Sequence, residues 1–377
     1  MKIGIPTETA TGETRVAFTP ALAAPVLRDQ HEILVESGAG LRSGVSDAQY
    51  SAAGARIIGL AQELYAAADL VFKVQPPTVA EAGLIREGAA YIGFLAPFNN
   101  VPVLQAFVRR RITGYAMEFI PRITRAQGMD ALSSQATVAG YKAVLIAAER
   151  IGKMFPMLMT AAGTVTPATV LILGAGVAGL QAIATAKRLG ARVEAFDPRP
   201  AVRDQVKSLG ALFVEMELPK DAETAGGYAK ELSPEFIQKE MEAIGARLPK
   251  VDVVISTAQV FGKKAPLLVT KDMVGLMRPG AWFIDLAAEQ GGNCELTRAG
   301  ETVVHNGVAI LGAVNLPATV PADASALYAR NCFNLFRHLY PKPDAQPDPA
   351  DEIVKGACLT RGGEVVNETV RKLVSNG

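Results

Sequence analysis

The sequence predicts an α/β fold of two Rossmann-like domains, each built on a parallel sheet, joined by long helices with a cleft between them. Three observations carry this. The 377 residues exceed what one hydrophobic core usually serves. Short apolar runs alternate with helical or turn segments, the pattern of parallel strands linked by crossovers. Hydrophobic residues make up 49% of the chain and glycines number 35, while aromatics are only 6%, which suits many tight strand-to-helix turns.

The first strand series is KIGIP (2–6), EILVE (32–36), ARII (55–58), DLVFKV (69–74), AYIGFL (90–95) and ITGYAME (112–118). A helix follows over 136–151, where Val138, Tyr141, Val144, Leu145, Ala148 and Ile151 recur at helical spacing. A second series runs TVLILG (169–174), RVEAFD (192–197), LFVEM (212–216), DVVIST (252–257), WFIDLA (282–287) and VAILGA (308–313). Residues 217–235 lack apolar periodicity and read as a mobile lid. Beyond 315 a helical pattern returns, and 352–366 reads as a hairpin turning at Arg361-Gly362-Gly363. The expected division is 1–136 with 316–377, and 137–315 as the nucleotide-binding domain.

Bulk properties exclude several classes. A net charge of +1 makes no case for nucleic acid or an anionic membrane surface. Three dispersed cysteines suggest a reducing compartment, without a disulfide frame or a metal site. Met154 to Ala186 carries no charge, but prolines and glycines interrupt it, so no membrane insertion is expected.

The sharpest motif is VLILGAGVAGLQAIATAKRLGARVEAFD. Gly174, Gly176 and Gly179 follow a strand and open a helix, which permits a tight turn, close approach of a pyrophosphate and close helix–strand contact. Asp197 ends the next strand, where a carboxylate accepts from the adenosine ribose and repels a 2′-phosphate. This is a dinucleotide fingerprint favouring NAD over NADP, although Arg199 blurs the preference because an arginine can meet a phosphate. Elsewhere, Glu8, Glu13 and Arg15 cluster after the first strand. Arg15 is read as holding a carboxylate ligand or, preferably, as paired with Glu13. Lys73 is read as a catalytic amine or a solvated charge. His31, His305 and His338 sit in no motif.

Taken together, the start PTE…ETRVAFTP, the lysine in KVQPP, the glycine turn and DLAAEQGG resemble the alanine dehydrogenase/transhydrogenase superfamily. RAQGMDALSSQ, MLMTAAGTVTPA and TAGGYAKE resemble, more narrowly, the NAD(H)-binding component of proton-translocating nicotinamide nucleotide transhydrogenase. The resemblance runs over nearly the whole chain. It implies a homodimer that binds NAD(H). It also implies a transmembrane subunit carrying the proton path, an NADP(H)-binding partner component, and a cytoplasmic, peripheral location on the inner face of the membrane. It places Arg122, Gln127, Asp130 and Ser133 in a loop that holds the nicotinamide and its ribose. The nucleotide contacts it implies are Arg122, Ile123, Thr124, Gln127, Gly174, Gly176, Val177, Ala178, Gly179, Asp197, Pro198, Arg199, Gly227, Tyr228 and Gln259, the last standing where the family has an aliphatic residue. Ser133 or Ser134 also reads as the N-cap of the following helix. The alternatives are alanine dehydrogenase, which needs a histidine that YIGFLAPFNN lacks and an aspartate where Glu289 stands, and a non-catalytic NAD(H) sensor. A saccharopine-type reductase shares the N-terminal scaffold.

Overall fold

The computed structural model describes residues 1–216, 234–342 and 345–375. They form two compact units, Met1–Gln135 with Pro317–Gly377, and Ala136–Leu316. The α/β class is as expected.

Unit 1 begins with six parallel strands: β1 (Lys2–Ile5), β2 (Glu32–Glu36), β3 (Arg56–Ile58), β4 (Leu70–Phe72), β5 (Ala90–Gly93) and β6 (Thr113–Ala116). Their order across the sheet is β3-β2-β1-β4-β5-β6. This doubly wound order reverses direction between β1 and β4, leaving a crevice at the strands' C-terminal ends. Alternating residues serve opposite faces. Val35 and Phe72 pack on one side with Phe18, Tyr328 and Phe336, while Leu34 and Val71 pack on the other with Tyr91, Leu104 and Phe107. Both faces are covered, so these strands read as continuous apolar runs.

Unit 2 opens with a two-stranded hairpin, β7 (Leu158–Thr160) and β8 (Gly163–Val165). Its main sheet holds β9 (Thr169–Leu173), β10 (Arg192–Phe196), β11 (Leu212–Phe213), β12 (Val253–Ser256), β13 (Trp282–Asp285), β14 (Thr302–His305) and β15 (Val308–Gly312). The order is β11-β10-β9-β12-β13-β15-β14, with β14 an antiparallel edge. Val170, Ile172, Val253 and Ile255 face one core, and Leu171, Leu173, Val254 and Phe283 the other.

The chain then returns to unit 1 through the helix Pro321–Leu339, and β16 (Cys358–Arg361) and β17 (Glu364–Val365) extend the first sheet antiparallel beyond β6.

Several local expectations change. The helix expected from 136 runs Ala131–Arg150. Asp130 initiates it: Ser133 N donates to Asp130 Oδ1 at 2.9 Å, and Ser133 Oγ to Oδ2 at 2.6 Å. The cap is therefore the aspartate, not Ser133 or Ser134, and a carboxylate suits the positive end of a helix. The first half of 352–366 is a helix, Glu352–Ala357, because the Asp351 side chain accepts from Ile353 N and Val354 N. Hairpin β7–β8 and edge strand β14 are additions to the expected strands. Both are too short and too exposed to show a buried apolar run.

Candidate functional site

The glycine turn in unit 2 assigns each glycine a different reason. Gly174, just past β9, has φ +93°, a left-handed conformation that a side chain strains. A Cβ on Gly179 would sit 1.9 Å from the Gly174 carbonyl oxygen, so helix Val177–Arg188 meets the strand only without one. Gly176 differs from both. Among the described residues, a Cβ there would meet no atom nearer than Arg199 Nη2 at 3.9 Å. None of those residues demands glycine at 176; the room is kept for something else. The helix begins at Val177, so its unpaired N–H groups face that room, the environment an anionic pyrophosphate takes. Val177 is exposed and Ala178 half-buried. Gly140, on the long helix, supports the turn from behind: a Cβ there would lie 2.1 Å from Ala178 O.

Asp197 follows β10 and is buried. Its carboxylate accepts from Ala175 N at 2.7 Å, which ties the glycine turn to the acid. Arg199 supplies the rest, donating from its backbone N at 2.9 Å, Nε at 2.9 Å and Nη2 at 2.8 Å. Arg199 is thus folded onto the acid, with Pro198 between them. Sequence reasoning missed a second carboxyl here. Glu240, on helix Pro234–Gly245, is 5% exposed, and burial followed by the Asp197 charge pushes it up to about 7.

At the ends of β12 and β13, Thr257 Oγ1 donates to Gly174 O at 3.0 Å, and Gln259 Nε2 to Leu286 O at 2.8 Å. Gln259 is exposed at the switch-point end of the sheet. Gly227 and Tyr228, expected on the lid, lie outside the described residues.

In unit 1 the polar loop forms one short structured segment. Thr124–Met129 is a 3₁₀ helix, with Ala126 and Met129 buried. The Gly128 carbonyl accepts from Asn331 Nδ2 at 2.9 Å and Asn334 Nδ2 at 2.8 Å, both on helix Pro321–Leu339. Those anchors leave Arg122, Thr124 and Gln127 exposed and Ile123 half-buried, while Asp130 and Ser133 bond to each other. Arg125 is drawn away by Asp351 at 2.7 Å.

The other strand-end residues of unit 1 close on themselves. Glu13 grips Arg15 through Nε at 2.8 Å and Nη2 at 2.6 Å, and Gln135 Oε1 takes Nη1 at 2.8 Å. Burial pushes Glu13 up, but Arg15 and Gln75 outweigh it and hold the carboxyl at about 2. Lys73 is neither solvated nor available as an amine. It is fully buried, with Glu8 and Glu81 each 3.2 Å from Nζ. Burial raises Glu8 despite Lys73, whereas Glu81 is lowered because Lys73 and Thr78 overcome its burial. In the loop after β5, Phe94 lies against Tyr328, ring centroids 5.3 Å apart. The histidines also have local partners. His31 contacts the Met1 amine and Phe336, His338 pairs with Asp351 at 2.9 Å, and His305 ends β14. Among the described residues no group of three or more His, Cys, Asp or Glu is placed to hold a metal, and no helix is long and apolar enough to cross a membrane.

Comparison with known proteins matches this geometry. The family model described as alanine dehydrogenase/PNT, N-terminal domain, matches residues 4–139, and its C-terminal counterpart matches 143–368. The chain is 49% identical over 379 residues to an NAD(P) transhydrogenase subunit alpha chain of Rhodospirillum rubrum, covering 97% of this chain and 98% of that one. It is 35% identical over 333 residues to alanine dehydrogenase of Mycobacterium tuberculosis, covering 86% and 84%. A crystal structure of transhydrogenase from Sinorhizobium meliloti superposes with TM-score 0.88 at 42% identity, covering 97% of this chain and all of that one. With both domains matched in sequence and the doubly wound sheet and dinucleotide turn in place, the chain belongs to the alanine dehydrogenase/PNT family.

Proposed function

We propose that this chain is the NAD(H)-binding component of a proton-translocating transhydrogenase, exchanging hydride directly with NADP(H) held on a partner component. The observation that carries the reading is a complete dinucleotide turn in a chain whose three histidines are all placed elsewhere. Reducing a carbonyl or imine needs a positioned proton donor; exchanging hydride between two nicotinamides does not. The lysine and arginine that could serve a small carbonyl substrate, Lys73 and Arg15, are sealed in ion pairs.

The residues present fit NAD(H). Gly176 leaves room for a pyrophosphate beside helix N–H groups, with Val177 and Ala178 lining the approach. Asp197 suits a ribose diol, whose two hydroxyls can replace the Arg199 guanidinium donors on the same carboxylate. Released Arg199, with Pro198, then borders the nucleotide. When bound, NADH supplies the hydride. The chain's own task is orientation and exclusion of water. Arg122 and Gln127 grip the ribose or carboxamide, Asp130 and Ser133 brace their loop, and Ile123, Thr124 and Gln259 complete the contacts. Gly227 and Tyr228 are assigned to a closing loop.

The chain acts within a complex, docked on the cytoplasmic face of a transmembrane subunit that couples hydride transfer to proton translocation. A homodimer is supported by hairpin β7–β8, which exposes Met157 at 58% and Met159 at 78% beside exposed Leu158 and Val165. An isolated hairpin with an apolar surface is marginal in water, and a second copy would cover it.

The test is NADH oxidation by the purified chain. With an NADP⁺-loaded NADP-binding component, turnover is expected; with pyruvate and ammonium, none. Turnover in the second arm replaces this reading with alanine dehydrogenase. Silence in both with NADH bound makes the chain a sensor. Arg122→Ala and Gln127→Ala are expected to cut hydride transfer about 100-fold while weakening NADH binding less than about fivefold, the signature of lost positioning. Equal losses would make them simple binding residues.

A further inference from the structure

Asp285 ends β13 with no solvent exposure, and five donors converge on its carboxylate. Oδ1 accepts from Ser256 Oγ at 2.9 Å and Ala287 N at 3.0 Å. Oδ2 accepts from Asn293 N at 2.7 Å, Cys294 N at 3.2 Å and Thr297 Oγ1 at 2.6 Å. The acid therefore ties the end of β12 to the end of β13 and draws Asn293 inward. Charge-assisted bonds of this kind are roughly twice as strong as neutral ones.

Asn293 is itself fully buried, and its side chain spends most of its bonds on one residue. Oδ1 accepts from Ala258 N at 3.1 Å while Nδ2 donates to Ala258 O at 2.9 Å and to Pro266 O at 2.8 Å. The carboxamide acts on Ala258 as a neighbouring strand would, holding both its N–H and its C=O. Thr257, one residue earlier, is held from the opposite side by the Gly174 carbonyl. Gln259, one residue later, is tied to Leu286 O. Three consecutive residues beyond β12 are thus immobilised from three directions.

Their place explains why this matters. In this strand order a dinucleotide lies across the β9/β12 switch point. Asp197, after β10, marks the adenosine side, so the other half of the dinucleotide falls over the ends of β12 and β13. We propose that Asn293, seated by Asp285, is a positioning residue for the nicotinamide half of the bound dinucleotide, acting through the rigid segment Thr257–Gln259. This rests on the nucleotide-binding reading above. The ring's placement decides the hydride-transfer rate far more steeply than it decides affinity, since a misplacement of about 1 Å costs about 100-fold.

The experiment compares NADH with ADP-ribose, which lacks the nicotinamide, by titration calorimetry on the full chain, alongside single-turnover hydride transfer to an NADP⁺-loaded partner component. For Asn293→Ala, ADP-ribose affinity is expected within about twofold of wild type, NADH affinity to fall about tenfold, and the transfer rate to fall about 100-fold. Asn293→Asp keeps the volume but turns an oxygen toward Ala258 O and Pro266 O, so it is expected to behave like the alanine variant; recovery by aspartate would overturn the proposal in favour of simple packing. Equal loss of both ligands, or an unchanged NADH affinity and rate, would also overturn it. Ala258→Gly removes no buried polar group and loosens the same segment; it is expected to shift NADH against ADP-ribose in the same direction by a smaller factor, and it decides the matter should the Asn293 variants not fold. Should wild type bind NADH yet pass no hydride, the transhydrogenase reading falls while the ligand ratio still tests the clamp.

Discussion

Two sets of strand ends in this molecule start from the same architecture and finish differently. Both units have the doubly wound order that leaves a crevice at the C-terminal ends of parallel strands. In unit 2 the crevice is bordered by what is missing: Gly176 carries no side chain, although no atom of the described residues forbids one. In unit 1 the ends of β1 and β4 are filled by Glu8, Glu13, Arg15, Lys73 and Glu81, each bonded to another member of the chain. Charged residues at a strand end therefore do not by themselves announce a ligand. Saturated partners mark a structural network, and unexplained room marks a site.

The largest effect that would break this contrast comes from Lys73→Met. Removing the lysine leaves two buried carboxyls facing each other, and loss of one partner from a buried ionic group costs about 3 kcal/mol or more. Chemical denaturation is expected to show that loss, with NADH affinity unchanged in the protein that remains folded. A loss of NADH binding at unchanged stability would turn the network into a second ligand site.

The converse substitution is Gly176→Ala. It is expected to leave the melting temperature within about 1 °C of wild type, because the added methyl crowds no described atom, and to weaken NADH binding at least about tenfold. Unchanged binding would show that the room at 176 is not for a nucleotide.

A smaller effect sharpens the comparison within unit 2. Glu240 is raised from its ordinary value of 4.5 to about 7 in the folded chain. A carboxyl raised on folding contributes stability that is complete below pH 4.5 and is lost as pH climbs to 7. The span corresponds to at most about 3 kcal/mol. Glu240→Gln is expected to be more stable than wild type at pH 8, with the difference vanishing near pH 4, when melting is followed across that range. A pH-independent difference would place Glu240 in solvent.

Much of this is legible in the chain itself. The two strand series, the glycine turn and Asp197 follow from apolar runs bounded by glycine, a signal that depends only on near neighbours. The pairing of Glu13 with Arg15 is also readable, because the two lie so close in sequence. Lys73 is not readable. Its partner Glu8 lies far earlier in the chain, and only the adjacency of β1 and β4 brings them together. Asp130 reads as a ligand-side acid rather than a cap because an aspartate before a helix serves either use, and the contact with Ser133 decides only once the helix has formed. Glu240 and Asn293 carry no local signal at all.

By itself, then, the sequence determined the class, the two sheets and the chemistry of the dinucleotide turn. These are properties of local pattern: apolar runs of strand length, glycine where φ must be positive, an acid at a strand's end. Tertiary structure alone decided which charges are spent and which are available. Whether a carboxylate meets a ligand, a lysine or a backbone N–H depends on which strands lie side by side, and that is settled by packing across the whole sheet rather than by neighbours in the chain.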